Sequence, residues 1–151
     1  MQNQPKPRTA LLLFNYSEKQ KASLKKIAPR INEQSLKSLI GRLNKRAKKI
    51  TSQADLPFFQ LNANSKQNFG EQLYQAYEDL FLLGYDQVIG ISNDCPELNA
   101  NDLRLAEEGL TENDFVFGPA KDGGLYLLGL KKEKVSKKQF VGLQSLGVAY
   151  V

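Results

Sequence analysis

The 151-residue chain contains no histidine and a single cysteine, Cys95. Without imidazole there can be no histidine-based triad, no histidine general base and no zinc site built on that side chain. One cysteine permits no intrachain disulfide and fits a reducing compartment. Any metal site must then be oxygen-rich, which favours Mg²⁺ or Mn²⁺ over zinc. Long apolar runs are missing too, since none approaches the roughly 20 residues that a spanning helix requires. The run from Ala10 to Phe14, behind a polar N-terminus, is too short for a signal-peptide core, so a cytoplasmic location is expected.

What is present is ordinary for a globular protein: 41% apolar and 25% charged residues. The length suits one domain with a continuous core. The net charge of +5 is unevenly spread. Residues 1–49 hold 13 Lys/Arg against Glu18 and Glu33, a net of +11, whereas residues 50–151 carry a net of −6. A basic half can attract a polyphosphate or nucleic acid, or can be a solvated lysine-rich helix face.

Hydrophobic patterning gives the element order. Thr9 to Phe14 reads as a buried strand, apolar on both faces. Residues 15–34 are polar and lysine-rich, with Pro29 interrupting any helix. Leu36, Leu39, Ile40, Leu43, Ala47 and Ile50 then recur at helical spacing, with Ser35 as the expected N-cap and most of the cations opposite. Asp55 to Leu61 is a short strand weakened at its start by Pro57. Asn68 and Glu71 have capping-box spacing before a helix whose apolar face is Leu73, Ala76, Tyr77, Leu80, Phe81 and Leu83, with Gly84 at its end. Gln87 to Ile91 is a buried strand, and Asn99 caps a helix carrying Leu103, Ala106 and Leu110. Asp114–Phe117 and Leu125–Leu130 are the last two strands, with a short polar helix expected to close the chain. The order β-α-β-α-β-α-β-β predicts an α/β domain with a mainly parallel sheet.

Two acidic loops carry the chemistry. Ser92-Asn93-Asp94-Cys95-Pro96 follows the apolar run Val88–Ile91, and Gly118-Pro119-Ala120-Lys121-Asp122-Gly123-Gly124 follows Phe115–Phe117. Each puts a carboxylate at the carboxyl end of an expected strand, the edge where open α/β sheets bind ligands. Asp94 can ligate Mg²⁺ or Mn²⁺, which neutralises a diphosphate, or can cap the next turn. Asn93 adds a neutral donor and acceptor, and Pro96 holds Cys95 extended. Asp122-Gly123 is a hairpin signal, while Gly123 and Gly124 together let a ligand approach the backbone closely. Lys121 either offers its charge to a phosphate or is solvated.

The block Phe69-Gly70-Glu71-Gln72-Leu73, the run Val88 to Leu98 and the run Gly118 to Leu130 together resemble the DUF2064 family, over roughly residues 9–130. That family comprises glycosyltransferase-A-like proteins of the nucleotide-diphospho-sugar transferase superfamily, related to molybdenum-cofactor and 2-phospho-lactate guanylyltransferases. The resemblance implies a Rossmann-like glycosyltransferase-A fold, three-layer α/β/α with a mainly parallel mixed sheet. It implies binding of a nucleotide or nucleotide-sugar, a divalent Mg²⁺ or Mn²⁺, and an unidentified acceptor. Asp94 matches the family's metal-binding aspartate. Asp122, Gly123 and Gly124 match the loop lining the second-ligand side, with Asn93 and Lys121 beside them as substrate contacts and Asp94 and Asp122 in the catalytic role.

The match departs from the family after the first strand. Active members carry a Pro/Gly loop ending in Lys-Thr-Arg that contacts phosphates, whereas this chain has Asn15-Tyr16-Ser17-Glu18-Lys19-Gln20-Lys21-Ala22-Ser23-Leu24-Lys25-Lys26. Backbone amides cradle a phosphate best where glycine removes the side chain. Lys19, Lys21, Lys25 and Lys26 can replace the charge but not the cradle. The family also commonly continues beyond the equivalent of Val151, so the single domain over residues 1–151 is expected to be a compact or C-terminally shortened form. Three readings follow: a metal-dependent glycosyl- or nucleotidyltransferase, a catalytically degenerate member acting as a binding or regulatory domain, and a basic nucleic-acid-binding module. The last is disfavoured by the lack of aromatics interleaved with the lysines.

Overall fold

A computed structural model describes residues 5–15, 22, 25–63, 66–93, 97–119, 125–134, 137 and 140. Five strands, β1 (Thr9–Asn15), β2 (Phe58–Asn62), β3 (Gln87–Ser92), β4 (Phe115–Pro119) and β5 (Leu125–Lys131), form one sheet in the order β2-β1-β3-β5-β4. Among the described residues, three long helices, α1 (Glu33–Gln53), α2 (Phe69–Leu82) and α3 (Ala100–Glu112), connect them in the order predicted from the sequence, and residues 25–27 are also helical.

β1 lies parallel to β2 on one side and to β3 on the other. β5 enters antiparallel between β3 and β4. Two reversals in succession restore the direction, so β4 points the same way as β1, β2 and β3. The sheet is therefore mixed, with four strands sharing one carboxyl edge.

All seven residues of β1 are buried, because helices cover both faces of the sheet. Alternate side chains divide the core between them. On one face Ala10, Leu12, Phe14, Val88, Leu128 and Leu130 pack against Leu73, Tyr77, Leu80 and Phe81 of α2, with Phe140 alongside. On the other, Leu11, Leu13, Ile89, Ile91 and Leu127 meet Ala47 and Ile50 of α1 and Leu103, Ala106 and Leu110 of α3. The result is a three-layer α/β/α sandwich.

One contact ties the first face together. The buried Tyr77 hydroxyl donates to the Leu128 carbonyl at 2.7 Å, and burial holds its phenol far above the ordinary tyrosine range. It fits because residue 90 is glycine, where an added Cβ would lie 2.1 Å from the Tyr77 oxygen.

The boundaries correct two expectations. α1 is capped by Asn32, not Ser35: the Asn32 Oδ1 accepts from the Ser35 backbone N–H at 2.8 Å. Its first turn is polar, so apolar periodicity begins one turn after the helix does. β2 begins at Phe58, not Asp55, since Asp55 has φ of 54° and Pro57 lacks an N–H for the ladder; the Pro57 carbonyl still accepts from Leu11. The antiparallel pairing of β4 with β5 agrees with the hairpin signal read between them, and β4 points along the parallel strands. The caps at Asn68 and Asn99 stand as expected, and Asn99 forms a full capping box with Asp102. Gly84, with φ of 104°, follows α2. The expected closing helix lies almost wholly outside the described residues. Among the described residues, no helix is long and apolar enough to cross a membrane.

Candidate functional site at the carboxyl edge

The register places the two acidic loops. Ile91 of β3 and Gly118 of β4 both align with Leu127 of β5, one from each side. With neighbouring strands 4.7–4.9 Å apart, the two chains leave the sheet about 10 Å from each other. Asp94, Lys121, Asp122, Gly123 and Gly124 lie outside the described residues, as do Cys95 and Pro96. Their starting points are nonetheless fixed on one edge.

Asn93 is the candidate that the structure describes, and it is buried. It stands one residue beyond β3, beside the end of β1, where Phe14 aligns with Ser92. Its Nδ2 donates to Asn44 Oδ1 of α1 and makes a long 3.5 Å contact with Asn15 Oδ1. A carboxamide nitrogen carries two hydrogens, so one group can address both acceptors. Three asparagines from β1, α1 and the β3 loop thus meet directly before Asp94. Arg46 of α1 also donates to the Leu98 carbonyl at 3.4 Å, tying the helix to the far end of the same loop.

Sequence reasoning singled out Asn93 but missed Asn15 and Asn44. Both had a signal. Asn15 is the polar residue ending an apolar strand, and Asn44 is a poor helix former next to the apolar stripe of an otherwise well-patterned helix.

A concavity of about 350 Å³ lies away from this edge, between the C-terminal end of α1 and α3. Gln53, Leu56, Asn101, Arg104 and Glu107 line it, and none of its lining residues belongs to a strand or to the two acidic loops. Glu107 there pairs with Lys6 at 3.4 Å. Among the described residues, no group of three or more His, Cys, Asp or Glu side chains converges to hold a metal.

The strand order, the single reversed strand and the helices on both faces define a three-layer α/β fold with a mixed sheet. A crystal structure from Desulfovibrio desulfuricans G20, of a protein described as a "putative nucleotide-diphospho-sugar transferase", superposes with a TM-score of 0.75 at 20% identity. The match covers 90% of this chain and 68% of that one. No curated protein matches the sequence. Residues 29–144 match the family described as "Uncharacterized protein conserved in bacteria (DUF2064)", and the chain belongs to that family.

Proposed function

We propose that this protein binds a nucleotide or nucleotide-sugar at the carboxyl edge of its sheet and acts there as a metal-dependent glycosyl- or nucleotidyltransferase. The observation that carries this reading is the register across β5, which starts both acidic loops about 10 Å apart on one edge. That span suits a diphosphate lying between a carboxylate from each side.

The chemistry of the available groups fits a hard cation. The chain offers carboxylates and carboxamides at this edge and has no histidine, an oxygen donor set suited to Mg²⁺ or Mn²⁺. In this reading Asp94 holds the ion, and Asp122 binds substrate or assists at the opposite wall. The bound cation would supply charge stabilisation for the diphosphate leaving group. Asn93, fixed by Asn44 and by its contact with Asn15, orients the start of the Asp94 loop. Gly123 and Gly124 would let the substrate approach the backbone, with Lys121 offering charge to a phosphate.

A thermal-shift screen of nucleoside triphosphates and nucleotide-sugars, with and without Mn²⁺, tests the proposal when repeated on Asp94→Asn. Metal-dependent stabilisation abolished by the substitution supports it. No shift with any nucleotide under either condition ends it. The altered stretch from Asn15 to Lys26 favours a second reading, a binding domain without catalysis, which metal-independent nucleotide binding would support.

A further inference from the structure

α1 is much longer than the strands it covers. Its 21 residues extend about 31 Å, against about 23 Å for the seven residues of β1. Ala47 and Ile50 pack on the sheet, and Asn44 is level with the end of β3 because it meets Asn93. The helix runs back toward the start of β2, so its turns before Asn44, where Leu36 and Ile40 are buried, precede the level of the carboxyl edge.

The flank of α1 that carries Asn44 has a distinct composition. Positions 37, 41, 44 and 48 recur at i, i+4, i+7 and i+11, so Lys37, Gly41, Asn44 and Lys48 form one stripe along the helix. Lys37 and Lys48 are exposed, and among the described residues neither ammonium group has a hydrogen-bond or ion-pair partner. Among the described residues, a Cβ built on Gly41 meets nothing within 4 Å, so the helix surface is open at that point of the stripe. An exposed mid-helix glycine is unfavourable for the helix itself, so its presence there calls for a reason other than helix formation.

We propose that this stripe is a phosphate-binding wall. An oligophosphate lies over Gly41, held from either side by Lys37 and Lys48, and its inner end abuts the Asn44–Asn93 contact at the edge of the sheet. Helix α1 thereby supplies the grip that the stretch after β1 lacks. The inference rests on the proposed nucleotide site for its ligand class, but the stripe recognises phosphate without base or sugar.

The test is calorimetric titration of the full chain with inorganic pyrophosphate at low salt, in EDTA and again in Mn²⁺. Lys37→Gln and Lys48→Gln should each weaken binding fivefold or more. Lys49→Gln, which removes the same charge about 100° around the helix, should change it less than twofold. Gly41→Phe should hold or slightly raise the melting temperature, because it improves helix propensity, and lose at least tenfold in affinity, because its ring fills the ligand's space. The proposal is overturned if the wild type binds no pyrophosphate, if Gly41→Phe binds it normally, or if Lys49→Gln loses as much as the stripe variants. Pyrophosphate binding through the stripe without any response to nucleotides would remove the transferase reading and leave the wall. Nucleotide binding that depends on Asp94 but not on Gly41 would do the reverse.

Discussion

Tyr77 and Gly90 work as a pair, and neither tolerates change alone. Gly90→Ala would set a methyl group against the Tyr77 oxygen and 3.0 Å from the Phe14 ring. We expect a loss of about 3 kcal/mol, at the upper end of ordinary overpacking, measured by urea denaturation. Tyr77→Phe removes the hydrogen bond to Leu128 and should cost about 1–2 kcal/mol at neutral pH. The same variant has a pH signature. Burial raises the folded-state pKa of Tyr77 above the unfolded value of about 10, so its contribution is fully present below pH 10. Above pH 10 the unfolded chain ionises first, and stability falls by about 1.4 kcal/mol per pH unit on account of this residue. In Tyr77→Phe that alkaline decline should be correspondingly shallower. None of this was legible beforehand: the helical spacing placed Tyr77 on an apolar face, but its acceptor lies 51 residues away on strand β5. Asn93 was legible as a site residue because it adjoins an acidic loop, whereas its partner Asn44 belongs to a helix 49 residues earlier.

The helices and strands were readable to the extent that their signals are local. The caps at Asn68 and Asn99 were found because a side chain three residues from its acceptor leaves a pattern within one turn. The α1 cap was misplaced at Ser35 because the search began from the apolar stripe, and the helix starts before its stripe does. Asn99→Ala should cost about 1 kcal/mol through loss of the α3 capping box, seen as a lower midpoint with unchanged slope in urea. Gly41→Ala should move the other way, adding as much as about 1 kcal/mol, because a methyl group there touches nothing and only the helix propensity changes. Strand directions were less readable. The hairpin signal at Asp122-Gly123 marked the last two strands as antiparallel partners, but nothing local showed that β5 would lie between β4 and β3.

Taken whole, the molecule keeps its structural and chemical demands apart. Two apolar faces hold the sheet between helices, while polar groups from β1, α1 and the β3 loop collect at one end of it. A ligand at that end should therefore stabilise the fold without disturbing it. At 100 times its Kd, a nucleotide would add about 2.7 kcal/mol, which for a chain of this size raises the melting temperature by about 5–10 °C. Because α1 carries six lysines and arginines against Glu33 alone, the affinity for a polyphosphate should fall as salt is added. The reversed strand has one further consequence, and it concerns the order in which the protein is made. β3 and β4 emerge from the ribosome before β5, yet β5 is the neighbour that each of them requires on the edge where the acidic loops begin. Until Lys131 has been added, β4 has no partner in this sheet and β3 is open along one side. The sheet can therefore be closed along that edge only once its last strand is seated between two that precede it in the chain, and β4 is joined to the other strands through β5 alone.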